Sequence, residues 1–176
     1  MTRVKSLNFL LSMLLLPALA YSASVYETQA EFLDRAFGDS APEASVMWLS
    51  GDRKKTVRQL LDHDYPALRV RYWCQEQRSA WILEEIGKEL PITVGIIVES
   101  NFIRNLKVMT YRENRGGEVA TPAFTDQFID AALDNDRALD TRIDGISGAT
   151  LSVRALTRLA SMALFLHAES GCHVSS

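Results

Sequence analysis

The stretch PITVGIIVESNFIRNLKVMTYRE, residues 91–113, decides the fold class of this 176-residue chain. Residues 91–99 are mostly apolar and β-branched, residues 102–113 intersperse apolar with polar side chains, and each stretch predicts a strand. Ser100 and Asn101 lie between them and suit a tight turn. Because so short a link cannot hold a parallel crossover, the two strands should form an antiparallel hairpin.

The chain before this hairpin continues the same pattern. Residues 68–74, LRVRYWC, alternate apolar and polar side chains, and residues 79–87, SAWILEEIG, form another short run of strand type. The links that follow these runs are only a few residues long, so successive strands should again be antiparallel. Pro91 is compatible with a strand only at its start, where we place it.

Helices are predicted on both sides of the strands. Apolar residues recur at spacings of three and four in residues 24–37, 52–61, 123–133 and 152–168. No repeat or linker divides the chain. We therefore predict one α+β domain with an antiparallel sheet of about four strands packed by helices. Residues 24–66 should be a helical N-terminal segment, and residues 67–170 the functional domain.

The first residues have the features of an export signal. Arg3 and Lys5 precede an apolar run at residues 7–16, and Ala18 and Ala20 satisfy the small-residue rule for cleavage. We predict a signal peptide at residues 1–20, with cleavage possible as late as residue 23. An uncleaved anchor is the alternative, although the run is shorter than the roughly 20 apolar residues that a membrane span needs. Export from the cytoplasm follows from the first interpretation.

Composition excludes some classes of function. The formal net charge is −3, and no contiguous basic stripe is present, so nucleic acid is a poor partner. The three histidines have no spacing typical of a metal site, and His167 lies on an apolar helix face, which favours a core role. Cys74 and Cys172 could form a disulfide in an oxidising compartment, or Cys74 could be a buried free thiol.

The turn DGISGATLS, residues 144–152, precedes the last long helix. It lacks the final glycine of a nucleophile elbow and the lysine of a nucleotide-hydrolase phosphate loop. Small residues such as Gly148 and Ala149 would let a ligand approach the backbone. Ser147, Thr150 and Ser152 could donate hydrogen bonds to phosphate at the positive end of the helix. The alternative is that Thr150 or Ser152 simply caps the helix.

Residues 144–150, DGISGAT, resemble the flavinylation motif D-x-x-[ST]-G-A-T of the FMN-binding domain family. This family includes the periplasmic domains of the C subunit of sodium-translocating NADH:quinone reductase and of the G subunit of the Rnf complex. The resemblance implies that Thr150 carries FMN through a phosphoester bond, with Asp144, Ser147, Gly148, Ala149 and Ser152 around the cofactor. It also implies that residues 67–170 form the FMN-binding domain.

A second stretch supports the resemblance. Residues 111–119, YRENRGGEV, are similar to a loop of the family in which a glutamate precedes a glycine by three residues. Glu113 and Gly116 occupy those two positions, and we expect both to bind the cofactor. Asn114 and Arg115 depart from the E-T-P-G form of the quinone-reductase members.

Together with the export signal, the resemblance implies a periplasmic redox carrier. Covalent FMN would be added by a separate, metal-requiring flavin transferase that uses FAD, because threonine alone is a poor nucleophile. The partners would be a membrane reductase and a downstream redox acceptor. The sequence also allows a small flavin-dependent reductase acting on an organic acceptor, or an interaction domain without flavin. Few acids and bases suggest a substrate site, which favours a carrier over a self-standing enzyme.

Overall fold

The protein was analysed as a computed structural model that describes residues 23–172. The predicted signal peptide therefore lies outside the described residues. The helices and strands follow in chain order: β1 (Ser24–Val25), α1 (Gln29–Phe37), β2 (Ser45–Trp48), α2 (Gly51–Leu61), β3 (Arg69–Gln75), β4 (Arg78–Ile86), β5 (Pro91–Glu99), β6 (Phe102–Tyr111), α3 (Pro122–Thr125) and α4 (Thr150–Ser170).

The strands form one antiparallel sheet with the order β1-β6-β5-β4-β3-β2. The predicted α+β class is confirmed, but the sheet has six strands where about four were predicted. Strands β1 and β2 both come from the segment at residues 24–66 that we expected to be helical. They have two and four residues, which is too short for a periodic pattern, and they are strands because β6 and β3 pair with them.

Helices cover the two faces of the sheet unequally. Helix α4 packs across β4, β5 and β6 on one face, and α2 packs beside it. Its central residues, including Leu159, Ala163 and Leu166, are fully buried in the main core. Helix α1 covers part of the other face, where Phe32 and Ala36 form a smaller core with Trp73, Ala80, Ile97 and Met109.

Two helix predictions needed correction. The first helix begins at Gln29 because Thr28 and Glu31 form a reciprocal capping box, so the residues predicted as its first turn lie in β1 and the following loop. Residues 123–133 are not one helix. A single turn at Pro122–Thr125 passes into a 3₁₀ turn at Asp126–Phe128, and the chain then becomes extended at Ile129.

A disulfide settles the open question about the two cysteines. Cys74 at the end of β3 is bonded to Cys172 just after α4, with their Cα atoms 5.9 Å apart. The bond therefore ties the C-terminal end of the long helix to the sheet. His167 near that end is fully buried, with its Nδ1 atom 2.7 Å from Ser79 Oγ, so its predicted core role is confirmed. Among the described residues, no helix is long and apolar enough to cross a membrane.

Candidate functional site

Three segments meet at one end of the sheet and enclose a cleft of about 420 Å³. They are the turn between β4 and β5, the loop after β6, and the first turn of α4. The antiparallel order brings them together, since β4 and β6 end where β5 begins. The volume lies within the range typical of small-molecule sites, about 300–1,000 Å³.

The turn at residues 144–149 places Thr150 at the edge of this cleft. Gly148 has φ +81°, a left-handed conformation that side-chain-bearing residues rarely adopt, and it turns the chain into the helix. Ala149 is 4% exposed and anchors the turn in the core, whereas Thr150 is exposed. The turn is also held from outside, because the backbone N–H of Asp144 donates to Gln127 Oε1 at 2.8 Å.

The start of α4 is not capped by a side chain. Thr150 is the first helical residue, Ala149 occupies the N-cap position, and no side chain there accepts a hydrogen bond from the first turn. The alternative in which Thr150 or Ser152 serves as the cap is therefore wrong. An uncapped N-terminus leaves backbone N–H donors and partial positive charge for an anion.

Glu113 holds the turn between β4 and β5 against the site. Its Oε1 atom accepts the backbone N–H groups of Lys88, Glu89 and Leu90 at 2.6, 2.6 and 2.9 Å. Burial alone would raise the pKa of Glu113, but these three donors stabilise the carboxylate and leave its pKa below the ordinary value. The ionised side chain thus fixes the backbone that forms one wall of the cleft.

Tyr111 joins the loop after β6 to α4. Its hydroxyl donates to the carbonyl oxygen of Arg115 at 2.6 Å and lies 3.1 Å from the Ser152 hydroxyl. Burial raises the pKa of Tyr111, so the phenol stays protonated and can donate. Ser152 is 4% exposed and its hydroxyl is engaged in this contact, so it helps to hold the loop after β6 against α4.

Gly116 lets the same loop approach the turn before α4. It has φ +82°, and a Cβ atom placed there would lie 2.9 Å from the Cβ of Ala149 and 2.9 Å from the Tyr111 hydroxyl. Both distances are shorter than the non-bonded contacts that a Cβ atom makes in real structures. Glycine is thus required at this position by its backbone conformation and by its packing.

Comparison with known families identifies this region. Residues 87–164 match the family model of the FMN-binding domain. The match contains the turn between β4 and β5, the loop after β6 and the start of α4.

The protein carries an FMN-binding domain.

The comparison with curated proteins found no match. The family match supports FMN as the cofactor and lies within residues 67–170, where we predicted the domain.

The FMN-binding domain brings most of the predicted site residues together. Gly148, Ala149, Thr150, Ser152 and Glu113 all line the 420 Å³ cleft. Ser147 and Gly116 line an adjoining open depression of about 600 Å³, and Gly148 lies between the two. Asp144 borders neither space and contacts Gln127 through its backbone.

Sequence reasoning missed part of the lining. Lys88, Glu89, Asn114, Arg115 and Leu151 also face the cleft. Leu151 directly follows the motif, and Asn114 and Arg115 lie within the loop of the second resemblance, but none of the three was a predicted site residue. Nothing in the sequence indicated Lys88 or Glu89, because they reach the site through the pairing of β4 with β5 and the contact of Glu113 with their backbone.

The cleft residues fit the phosphate end of FMN. Lys88 and Arg115 supply two cations to the lining, and α4 presents its uncapped N-terminus beside Thr150. Oxyanions prefer such a combination of cations and backbone N–H donors. Glu89 and Glu113 are the acids in the lining, and the carboxylate of Glu113 is already occupied by backbone donors.

Proposed function

We propose that the protein is an exported electron carrier in which FMN is bound covalently to Thr150 through a phosphoester. The observation that supports this most directly is the position of Thr150 within the FMN-binding domain. Its side chain is exposed at an uncapped helix N-terminus and borders a cleft that two cations line.

The attachment needs an accessible hydroxyl. In the proposed transfer, the Thr150 oxygen bonds to the phosphorus on the FMN side of FAD. The bond from that phosphorus to the bridging oxygen breaks, and AMP leaves with the bridging oxygen as part of its own phosphate. A separate flavin transferase would provide the metal ion and the base that takes the hydroxyl proton. The exposed Thr150 suits access by such an enzyme, whereas the buried Ser152 hydroxyl, in contact with Tyr111, does not.

The protein's own residues then hold the product. The first-turn N–H groups of α4, with Lys88 and Arg115, stabilise the charge that remains on the phosphodiester. Glu113 and Tyr111 keep the cleft walls in place. Bound FMN supplies reversible one- and two-electron chemistry, and the chain supplies its binding and surroundings.

Export and electron transfer complete the proposal. The N-terminal sequence supports secretion, and the disulfide between Cys74 and Cys172 is of the kind found in oxidising compartments. A covalent bond would prevent loss of the flavin outside the cytoplasm. We propose a periplasmic role between a membrane reductase and a downstream acceptor.

The attachment can be tested in a strain that co-expresses the chain with a flavin transferase. The purified protein should keep flavin fluorescence on a denaturing gel, and mass spectrometry of peptides should place FMN on Thr150. Thr150→Ala should abolish the signal without loss of the fold, and Thr150→Ser should retain part of it. Covalent FMN in the Ala variant would rule out this site.

The redox role needs a separate measurement. Loaded protein should accept and return electrons with small redox mediators but show no sustained turnover with organic acceptors. Sustained turnover would instead assign it to the flavin-dependent reductases.

A further inference from the structure

The end of the sheet that carries the cleft has a second surface feature at its edge. Strand β2 is one of the two edge strands, and three apolar side chains in it or beside it are strongly exposed: Val46 by 49%, Trp48 by 57% and Leu68 by 70%. Clusters of exposed apolar side chains typically mark sites of interaction with a protein, a ligand or a membrane.

Cations surround these side chains. Antiparallel pairing places Val46 opposite Arg71 and Trp48 opposite Arg69, so the four share one face of the sheet. The Arg69 guanidinium lies 5.6 Å from the centre of the Trp48 ring. Leu68 continues the ladder opposite the buried Leu49, so it lies on the other face at the same corner of the sheet, where it borders a small depression with Lys54 of α2. We call these six residues the edge patch: Val46, Trp48, Lys54, Leu68, Arg69 and Arg71.

We propose that the edge patch binds the surface of an anionic lipid bilayer. Tryptophan and arginine are typical of membrane interfaces, where the apolar part enters the headgroup region and the cation stays at the phosphates. The patch concentrates three cations on a chain of net charge −3. Lys54 Nζ lies 3.9 Å from Asp64 Oδ1, and because both side chains are about half exposed this ion pair neutralises the cation only weakly.

The shape of the edge patch favours a membrane over a protein partner. Its apolar side chains protrude, and the depression beside Leu68 holds only about 20 Å³. A protein partner would normally insert side chains into a socket, and this space is too small for one. A lipid headgroup layer needs no socket, because it adapts to protruding side chains.

The position of the edge patch connects it to the cleft. Because neighbouring strands are antiparallel, β2 ends and β3 begins at the end of the sheet where β4 ends and β5 begins. Binding through Trp48 and Leu68 would therefore bring the cleft side of the domain to the membrane. The use of this orientation for electron transfer rests on the proposed redox function, whereas lipid binding itself does not.

Vesicle co-sedimentation tests the proposal. Exported protein should bind vesicles of phosphatidylglycerol and phosphatidylcholine, bind pure phosphatidylcholine at least about five-fold more weakly, and dissociate as salt is raised. Trp73 is 5% exposed and Trp81 is fully buried, so Trp48 is the exposed tryptophan of the described residues. Its emission should shift to shorter wavelength with the anionic vesicles and be quenched by brominated lipid.

Matched variants separate the edge patch from general effects. Phe102 and Arg104 form a similar pair, 5.4 Å apart, at the opposite end of the sheet. Trp48→Ser should weaken binding at least about five-fold, and Phe102→Ser should not. Likewise, Arg71→Glu should weaken it, whereas Lys107→Glu on β6 makes the same change of charge elsewhere and should not.

Three outcomes would overturn the proposal. Equal binding to both kinds of vesicle would remove the role of charge, and equal effects of Trp48→Ser and Phe102→Ser would remove the role of the edge patch. Absence of vesicle binding, with a Trp48 emission shift on addition of polyglutamate, would assign the surface to an acidic protein. All of these measurements can be made without flavin, so they are independent of FMN attachment.

Discussion

Gly116 and Gly148 provide a paired test of how the loop after β6 supports the site. Both have nearly the same backbone conformation, with φ +82° and +81°. An alanine at either position should cost about 1–2 kcal/mol for the left-handed conformation. They differ in their surroundings: a Cβ at Gly148 would have no atom within 4 Å, whereas one at Gly116 would lie 2.9 Å from both the Ala149 Cβ and the Tyr111 hydroxyl.

The difference between the two variants should therefore measure the packing between loop and turn. Overpacking usually costs about 1–3 kcal/mol, so Gly116→Ala should lose about 2–5 kcal/mol in all, against about 1–2 for Gly148→Ala. For a domain of this size, each kcal/mol corresponds to about 2–4 °C in the melting temperature. Thermal unfolding followed by circular dichroism should thus show a clearly larger decrease for Gly116→Ala.

A third variant locates the strain. Tyr111→Phe removes the hydroxyl, so the double variant Tyr111→Phe/Gly116→Ala should be less destabilised than the sum of the two single variants. If Gly116→Ala and Gly148→Ala lowered the melting temperature equally, the close contact with Ala149 and Tyr111 would be refuted. Additive effects of Tyr111→Phe and Gly116→Ala would exclude the hydroxyl as its source.

The remaining predictions concern loading, pH, the disulfide and export. Gly148→Val should load less FMN than Gly148→Ala, by in-gel flavin fluorescence, because its side chain would occupy space at the cleft; equal loading would contradict this. Glu113 has a folded pKa below its ordinary value of 4.5, so it stabilises the fold above that pH and this contribution disappears as pH falls through the folded pKa. Glu113→Gln should lower stability at pH 7 more than at pH 3 in urea titrations, and an equal loss at both would refute the carboxylate's role. Reduction of the disulfide, or Cys172→Ser, should cost about 4–5 kcal/mol for a 98-residue separation, and an unchanged urea midpoint would argue against the bond. N-terminal sequencing of exported protein should begin near Tyr21 or Ser24, whereas a start at Met1 would contradict cleavage.

Local patterns were enough to predict the fold class and to single out the candidate site. Strands β3 to β6 could be predicted because each is seven or more residues long and carries the composition or alternation of a strand. Thr150 was singled out by a contiguous motif, and Glu113 and Gly116 by a short loop. In each case the information lies within about ten consecutive residues.

Other features depend on which distant residues meet. Ser24 and Val25 form a strand only because Tyr111 and Thr110 pair with them. Cys74 and Cys172 could be paired only after α4 had been placed along the sheet. The absence of a basic stripe in the sequence also concealed the edge patch, whose cations come from α2 and β3.

The walls of the cleft also combine locally determined features with features that depend on distant contacts. The sequence by itself determined that a hydroxyl would stand at the start of the last long helix. Only the tertiary structure decided that Lys88 and Glu89 would face it, since the backbone of both is held by Glu113, more than 20 residues later. Periodicity is a local property of the chain, whereas strand register and loop contacts are set by the packing of the whole domain, and a hydrogen bond from Lys88 to Glu113 has no local signature.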